Sequence, residues 1–424
     1  MKFSVPRGTH DILPEEQPYW RYVERAAEDL CIQYGYARID TPTFEETGLF
    51  TRAVGEGTDI VDKEMYSFLD KGDNDLTLQP EGTAPVVRAY LEHGMHTLPQ
   101  PVRLYYLTSI FRYDRPQAGR YREHHQFGAE ALGEMDPGVD AEVISLAWAF
   151  YRKVGLSELS MQMNSIGCPD CRPNYLNDLV KYYTERKDEL CGDCAKRLTR
   201  NPLRLLDCKV PSCQPQIEAA PKSSEYLCAE CHEHFGELKG HLDRLGLPYT
   251  LNHRLVRGLD YYTKTVFEFW AEGIGAQNSA GGGGRYDGLA EALGGRATRG
   301  IGFGIGLDRV ILLAQEQGIE VPPMTRPNVF VAYLGAEAKG EALALLDALR
   351  STGLSASCTF GGRSLKAQMR RANESGARFA LILGDEEIRK GTVTCRDMSD
   401  RSQEELPLER AVDILKGKQS ETHS

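Results

Sequence analysis

The segment between residues 102 and 132 constrains the fold most, because it holds two long strand-forming runs separated by a short turn. The first run, residues 102–113, is dense in tyrosine, valine, leucine and isoleucine, and the second covers residues 122–132. Residues 115–120 between them include proline and glycine, which favour a turn. These features predict an antiparallel β-hairpin.

One face of the second strand would carry a row of polar groups, because alternate residues of a strand share a face. His124, Gln126, Gly128 and Glu130 would point the same way, with Arg112 available from the preceding strand. A cation, an amide, a gap and a carboxylate suit a small zwitterion beside a phosphate. A solvated sheet face explains this segment alone equally well.

Two further arginines have positions suited to anions. Arg257 precedes a glycine and an apolar strand, residues 266–270, so it could approach a ligand closely; the alternative is a structural salt bridge with Asp260. Arg309 falls in the first turn of a predicted helix, residues 307–317, and helix N-termini attract phosphate. Both arginines are therefore candidates for phosphate contacts.

The glycine-rich segments do not fit the common nucleotide-binding motifs. The chain has no Walker A loop, and the alternating glycines of residues 300–306 are not the Rossmann pattern. The run at residues 281–284 indicates either backbone packed tightly against a neighbour or a flexible surface loop, and a bare glycine run favours the loop. If the chain binds ATP, it does so with another fold.

The remaining sequence divides into regions. An apolar stripe at helical period predicts a helix over residues 17–36. Residues 165–249 hold most of the eleven cysteines among short helical patches, which indicates an insertion with its own small fold. Beyond residue 326, the order strand (328–334), helix (337–351), strand, helix (364–375), strand (379–383) predicts a separate α/β domain. The predicted domains are therefore residues 1–326 and 327–424.

The composition excludes some classes of protein. The net charge of the 424 residues is −11, so an RNA partner would need local basic patches rather than a global field. No run of 18 apolar residues occurs, so no membrane span is expected. The N-terminus lacks the apolar region of a secretory signal, which predicts a cytoplasmic protein.

Several of these segments together resemble the histidyl-tRNA synthetase family of class II aminoacyl-tRNA synthetases. The hairpin resembles class II motif 2, and residues 302–309 (Gly-Phe-Gly-Ile-Gly-Leu-Asp-Arg) resemble motif 3. Residues 255–262 (Leu-Val-Arg-Gly-Leu-Asp-Tyr-Tyr) and 283–289 (Gly-Gly-Arg-Tyr-Asp-Gly-Leu) are similar to the two histidine-specific boxes. Residues 6–11 and 79–83 also match, and the resemblance extends from about residue 3 to about residue 415.

The resemblance implies an architecture and a reaction. The expected fold is a mostly antiparallel sheet flanked by helices, with a helical insertion and a C-terminal α/β anticodon-binding domain. The expected reaction is ATP-dependent attachment of L-histidine to its cognate tRNA, with Mg²⁺ accompanying ATP. A homodimer is also implied, and residues 36–57 correspond to motif 1, which usually builds the dimer interface.

The resemblance also implies roles for individual residues. Arg112 and Arg257 would act on the α-phosphate of ATP, and Arg309 would bind the γ-phosphate. The residues expected to bind histidine are Glu81, Gly82, Thr83, Gln126, Glu130, Tyr261, Tyr262 and Tyr286. Among these, Glu130 and Tyr262 would form hydrogen bonds with the two nitrogens of the imidazole ring.

Transfer RNA contacts are expected in two places. In the hairpin loop, Arg115, Gln117 and Arg122 would approach the acceptor end. In the last domain, Arg363, Lys366, Arg370 and Arg371 form a basic stripe at helical spacing, opposite Leu365, Met369 and Ala372. Without the family context, a solvated helix face would explain the stripe.

The cysteines of the insertion leave a question open. Cys168/Cys171, Cys191/Cys194 and Cys228/Cys231 have C-x-x-C spacing, and Cys208 and Cys213 lie between them. Two such pairs could build a Cys₄ zinc site. The sequence does not determine which pairs would meet, and the family does not generally require zinc, so no metal ligand is assigned from the sequence.

The main alternative is a non-catalytic relative that regulates histidine biosynthesis with the same catalytic fold. Such regulators typically lack the anticodon domain and the arginine of the first histidine box. This chain has both residues 327–424 and Arg257, so the catalytic interpretation is preferred.

Overall fold

The computed structural model describes residues 3–55, 58–271, 279–324 and 326–420, without the side chains of residues 419 and 420. The chain divides into two units, Met1–Pro322 and Pro323–Ser424. The end of the predicted motif 1 segment, Gly57, lies outside the described residues. In the part described, no helix is long and apolar enough to cross a membrane.

The strands and helices of the first unit include every element that positions the site. Its strands are β1 (Ala37–Arg38), β2 (Phe44–Glu46), β3 (Tyr66–Leu69), β4 (Asp75–Leu78), β5 (Val102–Phe111), β6 (Glu123–Leu132), β7 (Leu159–Ser165), β8 (Thr250–Leu251), β9 (Thr263–Ala271), β10 (Ser279–Arg285) and β11 (Gly300–Gly306). Its helices are α1 (Gln17–Gln33), α2 (Thr47–Val54), α3 (Thr83–Glu92), α4 (Pro137–Val154), α5 (Arg172–Thr184), α6 (Gly192–Arg197), α7 (Gln214–Glu218), α8 (Ala229–Arg244), α9 (Leu289–Ala292) and α10 (Leu307–Glu316).

A mostly antiparallel sheet of eight strands forms the centre of this unit, in the order β1-β5-β6-β11-β10-β9-β7-β8. Only the two edge pairs, β1 with β5 and β7 with β8, are parallel. A second sheet, β2-β4-β3, has three strands. This arrangement confirms the predicted fold class.

The predicted hairpin is β5 and β6, which pair from Val102 opposite Leu132 to Phe111 opposite Glu123. The first strand ends two residues before its predicted limit and the second begins one residue after it, because Arg112 already belongs to the loop, where its N–H donates to the carbonyl of Arg122 at 2.8 Å. The hairpin lies near one side of the large sheet, where β6 pairs with β11 over seven residues and β5 pairs with the two-residue strand β1.

Helix α1 confirms the predicted helix but ends at Gln33 rather than at Tyr36. Gly35 adopts a φ of +75°, a left-handed conformation that terminates a helix at little cost when the residue is glycine. The apolar stripe of α1 is buried against α4 and α10, and includes Val23, Ala26, Ala27, Leu30 and Cys31. Together these helices cover one face of the sheet.

The four-glycine run lies within β10, between β9 and β11, so the surface-loop interpretation was wrong. A Cβ atom at Gly283 would lie 2.0 Å from the carbonyl oxygen of Gly302. The neighbouring strands therefore leave no space for a side chain, which is the tight backbone packing that the other interpretation predicted.

A buried network of charges connects α4, β10 and α8. The Arg285 guanidinium is fully buried and donates to Asp140 at 2.7 Å and to Asp287 at 3.1 Å. Asp140 also contacts His234 Nε2 at 2.9 Å and accepts from Thr265 Oγ1 at 2.7 Å. Because every charge has a partner, this network can persist without solvent.

The insertion is helical, as predicted, and contains α5 to α8 with short 3₁₀ turns between them. Its small apolar core includes Tyr175, Leu179, Tyr183 and Leu205, together with the cysteines at 194, 208 and 213. Val256, from the segment before Arg257, belongs to the same core. The insertion therefore packs directly against the first histidine-box segment.

The second unit has five strands in the order β13-β12-β14-β15-β16, with α11 to α14. Its strands are β12 (Val329–Tyr333), β13 (Ala356–Cys358), β14 (Phe379–Leu383), β15 (Thr392–Asp397) and β16 (Gln403–Pro407). Its helices are α11 (Ala336–Ser351), α12 (Leu365–Ser375), α13 (Asp385–Lys390) and α14 (Ala411–Ser420). The predicted elements are present, and β15, β16, α13 and α14 follow the last of them.

Removing one side of the buried network should destabilise the first unit strongly. In Asp140→Ala the fully buried Arg285 loses its main anionic partner, and breaking a buried pair in this way costs about 3–5 kcal/mol. The control is Glu142→Ala on the same helix, whose pair with Arg103 is partly exposed and contributes about 1 kcal/mol or less. Urea denaturation followed by circular dichroism measures both; equal losses for the two variants would contradict the assignment.

Candidate active site

A pocket of about 290 Å³ opens on one face of the large sheet. All three predicted arginines line it: Arg112 after β5, Arg257 before β9 and Arg309 on α10. Of the residues expected to bind histidine, Glu81, Thr83, Gln126, Tyr261 and Tyr262 also line it. Residues far apart in the sequence thus meet in one cavity that contains both cations and carboxylates.

Glycines on β10 and β11 create the space for this pocket. In the antiparallel register Gly302 pairs with Glu130, Gly304 with Gly128, and Gly306 with Gln126, so these glycines share a face with the polar row of β6. Larger residues at these positions would fill the cavity. The alternating glycines of the motif 3 segment are therefore a requirement of the site.

The side chains of neighbouring strands lie over these glycine positions. A Cβ atom at Gly302 would lie 1.7 Å from Glu130 Oε2, and one at Gly128 would lie 2.1 Å from the Tyr106 ring. Both distances are far below van der Waals contact. Only glycine permits Glu130 and Tyr106 to lie flat across the sheet.

Glu130 is fully buried and surrounded by hydroxyl donors. Tyr286 donates to Oε2 at 2.6 Å, while Thr83 and Tyr106 donate to Oε1 at 2.8 and 3.2 Å. Burial raises the pKa of Glu130 to about 8, although these hydrogen bonds favour the ionised form. Burial thus disfavours the negative charge of this carboxyl, and the hydroxyl donors offset part of that effect.

Glu81 lies at the start of α3 and accepts two of its free backbone N–H groups. Oε2 accepts from Thr83 N and Oε1 from Ala84 N, both at 2.8 Å, and Tyr261 donates to Oε2 at 3.3 Å. Burial raises the pKa of Glu81 above its ordinary value, and the backbone hydrogen bonds oppose that shift. The helix N-terminus thus fixes one carboxylate at the pocket wall.

Arg257 pairs with Glu268 on β9, at 2.9 Å between Nη1 and Oε1. The alternative partner named from the sequence, Asp260, was wrong, because its carboxylate accepts from Asn201 Nδ2 at 3.0 Å instead. Burial lowers the pKa of Arg257, but the charge of Glu268 together with the contacts of Tyr262 and Tyr261 outweighs that effect, and the net shift is upward. Glu268 therefore holds a charged guanidinium at the edge of the pocket.

Arg112 and Arg309 donate to backbone carbonyls instead of carboxylates. Arg112 Nε donates to Pro80 O at 2.7 Å, and Arg309 donates to the carbonyls of Gly119 and Ser279. Among the described residues neither forms an ion pair, and burial lowers the pKa of both. Two incompletely neutralised cations facing one pocket would bind an anion well.

Three predicted residues lie behind the pocket lining. Glu130 and Tyr286 are hydrogen-bonded to each other beneath Thr83, and Gly82 packs against the Tyr106 ring. Conversely, the sequence prediction missed several lining residues, of which Glu268 is the most informative. The sequence feature that could have indicated Glu268 is a single carboxylate within an apolar strand. It lies two positions from Trp270, whose indole N–H donates to it at 2.8 Å.

His124, from the polar row of β6, also lines the pocket. Burial, reinforced by the charge of Arg112, lowers its pKa to about 3, so the ring is neutral at physiological pH. A neutral imidazole can accept or donate a hydrogen bond beside a phosphate without adding another charge.

The three hairpin loop residues that were expected to contact tRNA do not line the pocket. Arg115 and Gln117 are exposed, whereas Arg122 is half-buried with its guanidinium 3.6 Å from the centre of the Tyr113 ring. Arg120, which was not predicted, lines the pocket and pairs with Asp114. The exposed side chains of Arg115 and Gln117 therefore lie outside the cavity.

In the second unit, α12 carries Lys366, Arg370 and Arg371 of the predicted basic stripe, whereas Arg363 lies two residues before the helix begins at Leu365. Arg363, Lys366, Arg370 and Arg371 are exposed, and Glu374 pairs with both Arg370 and Arg371 at 3.6 and 3.2 Å. The opposite face, which includes Met369 and Ala372, packs against β12 and β14. The helix is amphipathic, with its basic side facing solvent.

Fold and pocket together define a class II aminoacyl-tRNA synthetase catalytic domain. The family model for histidyl-tRNA synthetase matches residues 8–170 and 199–310, and the model for an anticodon binding domain matches residues 328–418. The chain belongs to the histidyl-tRNA synthetase family.

Relatives and solved structures agree with this assignment. A histidine–tRNA ligase of Dehalococcoides mccartyi is 54% identical over 414 residues, which are 98% of this chain and 99% of the relative. One from Desulforamulus reducens is 51% identical over 418 residues, 99% of this chain and 100% of the relative. The crystal structure of apo S. aureus histidyl-tRNA synthetase has a TM-score of 0.82 and 39% identity, and the match covers 98% of this chain and 100% of that one.

The glycine requirement can be tested at Gly302. In Gly302→Ala the new methyl group would overlap Glu130, so we expect histidine affinity to fall at least tenfold as Glu130 is displaced. The control is Gly240→Ala on α8, where a Cβ meets no atom within 4 Å. Isothermal titration calorimetry with histidine measures both variants, and unchanged affinity in Gly302→Ala would contradict the assigned packing.

Proposed function

We propose that this protein catalyses the ATP-dependent attachment of L-histidine to its cognate tRNA through a histidyl-adenylate intermediate. The observation that carries the proposal is the convergence of Arg112, Arg257 and Arg309 on one pocket whose wall also contains Glu81 and Tyr262. The full-length relatives named histidine–tRNA ligase support the same conclusion.

In the first step, the histidine carboxylate would attack the α-phosphate of ATP. A new oxygen–phosphorus bond forms, and the bond to the leaving pyrophosphate breaks. Because both reactants are anions, the main requirements are charge neutralisation and alignment. Arg112 and Arg257 would act on the α-phosphate from different sides, and Arg309 would bind the γ-phosphate. ATP enters with Mg²⁺ as its counter-ion.

Histidine would be selected by hydrogen bonds to both nitrogens of its imidazole. Tyr262 lines the pocket, and Glu130 lies one hydrogen bond behind the lining residue Thr83; these are the two groups that we assign to the ring. Glu81, Thr83 and Gln126 would hold the amino and carboxylate groups. A site that hydrogen-bonds its substrate can reject analogues lacking those atoms by about 10⁴–10⁵.

In the second step, the histidyl group would pass to a ribose hydroxyl at the 3′ end of the tRNA, releasing AMP. The exposed Arg115 and Gln117 would contact phosphates of the acceptor strand, and Arg122 would support the loop through its contact with Tyr113. These contacts would position the tRNA without reading its sequence.

The second unit would bind the anticodon. Exposed Phe360 stands next to Gly361, Gly362 and the basic residue Arg363. An exposed aromatic ring beside a guanidinium suits an unstacked base of a single-stranded RNA loop. Lys366 and Arg370, further along the same surface, would contact the RNA backbone.

The proposed assembly is a homodimer that works in the cytoplasm, where tRNA is charged. The sheet β2-β4-β3 includes β2 from the motif 1 segment and exposes Phe44, Phe68 and Leu69. The rings of Phe44 and Phe68 stack edge to face at 6.3 Å. An exposed apolar patch of this kind is typical of a protein interface.

The regulatory alternative is not favoured. A solved structure described as an ATP phosphoribosyltransferase regulatory subunit/histidyl-tRNA synthetase from Bacillus halodurans is 22% identical with a TM-score of 0.63, which reflects the fold alone. Arg257 and the anticodon-binding unit are both present in this chain.

The substrate assignment predicts a single active amino acid. In ATP–pyrophosphate exchange with each of the twenty amino acids, we expect histidine to support exchange and the others to be at least about 10⁴-fold lower in kcat/KM. Comparable exchange with another amino acid would overturn the assignment. A folded protein that exchanges with none would favour the regulatory alternative.

The role of Arg257 predicts a loss of the chemical step. We expect Arg257→Ala to lower kcat for pyrophosphate exchange by about 10²–10³, because a preorganised charge partner is lost. Arg254→Ala is the matched control, since Arg254 contacts Gln214 at 2.6 Å outside the pocket and should keep near-normal exchange. Near-normal exchange in Arg257→Ala, with thermal stability retained, would refute the role.

A further inference from the structure

The eight cysteines of the insertion form two groups of four. The insertion-base cluster contains Cys168, Cys171, Cys228 and Cys231, and the insertion-core cluster contains Cys191, Cys194, Cys208 and Cys213. In each cluster the four Sγ atoms all lie within 4.8 Å of one another. We propose that each cluster binds one structural zinc ion as a tetrathiolate site.

The sulfur–sulfur distances fit a single tetrahedral ion. A zinc–sulfur bond of about 2.3 Å places the sulfurs of a regular tetrahedron about 3.8 Å apart. In the insertion-base cluster, Cys168 Sγ lies 3.6 Å from Cys171 Sγ and 3.9 Å from Cys228 Sγ, and Cys171 Sγ lies 3.9 Å from Cys231 Sγ. In the insertion-core cluster, Cys191 and Cys208 are 3.8 Å apart.

These distances distinguish a metal site from the alternatives. A disulfide requires about 2.05 Å between sulfurs, and all eleven cysteines are free. An iron–sulfur cluster places several metal and sulfide atoms between its cysteines, and four sulfurs within 4.8 Å leave space for one ion. A tetrahedral set of four thiolates is typical of structural zinc.

Backbone N–H groups point at the sulfurs in both clusters. Cys168 N donates to Cys171 Sγ at 3.3 Å, Cys191 N to Cys213 Sγ at 3.2 Å, and Val210 N to Cys208 Sγ at 3.4 Å. Such donors stabilise negative charge on sulfur, and the thiolate is the form that binds a metal. The backbone is thus arranged around thiolates.

The structure around the clusters indicates that the ions would stabilise the fold of the insertion. The core around the insertion-base cluster contains little besides the cysteines themselves and Leu227, so apolar packing cannot explain why these segments meet. The insertion-core cluster joins short helical segments that have only a small common core. Small folds with limited cores commonly depend on metal ions.

Each cluster supports one side of the segment that contains Arg257. Arg172, next to Cys171, donates to the carbonyls of Ile166, Gly167 and Tyr262 at 3.1, 3.1 and 2.6 Å. Asn201, between Cys194 and Cys208, donates to Asp260 at 3.0 Å. Zinc would therefore fix residues 255–262 against the sheet from outside the pocket.

Both clusters are defined by the positions of their sulfur atoms in this chain, and zinc binding there does not depend on the proposed histidylation of tRNA. The family model leaves residues 171–198 between its two matched ranges, and that segment carries Cys171, Cys191 and Cys194. The C-x₄-C spacing of Cys208 and Cys213 gave only a weak signal in the sequence, whereas the fold brings this pair against Cys191 and Cys194.

The test is elemental analysis of the full-length protein, purified without chelator or polyhistidine tag. We expect two zinc ions per chain. Cys168→Ser/Cys228→Ser and Cys194→Ser/Cys213→Ser should each retain one, and the control Cys358→Ser, outside both clusters, should retain two. One zinc ion or none in the reduced, folded wild-type protein would overturn the two-site proposal, as would iron in place of zinc.

A second measurement does not depend on whether the variants fold. Cobalt exchanged into the wild-type chain should give thiolate-to-metal charge-transfer bands and the d–d bands of tetrahedral cobalt, at two equivalents. Chelation of zinc should speed amide hydrogen exchange in residues 255–262 and expose eight additional thiols. Eight thiols that react freely before chelation, or that mass spectrometry finds in disulfides, would refute the proposal.

Discussion

The constraint on which the active site depends is the lack of side chains on one face of β10 and β11. The glycines of β11 let Glu130 and Gln126 lie across the sheet, as Gly128 of β6 does for Tyr106, and a methyl group at Gly302 would overlap Glu130 at 1.7 Å. Antiparallel pairing places Gly302 opposite Glu130. The polar side chains on this face of β6 therefore require residues without side chains on the same face of β11. The loss of backbone entropy that glycine incurs on folding is offset by the interactions of the surrounding side chains.

The arginines around this face are held by different kinds of partner, which explains how three cations can share a pocket. Arg257 is paired with Glu268, so its position is fixed by an ion pair at 2.9 Å. Arg112 and Arg309 are fixed by backbone carbonyls and keep their charge available to a ligand. Behind them, the fully buried Arg285 network ties β10 to α4 and to the last helix of the insertion. The insertion is therefore part of the support of the site.

Much of the fold could be predicted from local sequence patterns, and the predictions that failed did so for physical reasons. The hairpin, α1 and the first five elements of the second unit have strong apolar periodicity. The exposed, charged strand β16 has little, because an edge strand buries few side chains. The glycine run at residues 281–284 gives no strand signal although it lies in β10, because a strand without side chains has no alternation of apolar and polar residues. Glu268 was missed because its role depends on Arg257, which lies eleven positions away but becomes its neighbour only in the folded sheet.

The sequence by itself determined the family, the domain types and several of the residues that line the pocket, since motif residues carry that information in their order. Tertiary structure alone decided that Arg257 pairs with Glu268 and not with Asp260, that Glu130 lies behind Thr83, and how eight cysteines divide into two groups. These are distances between residues far apart in the chain. They follow from strand register and from helix packing, and no local spacing of residues specifies them.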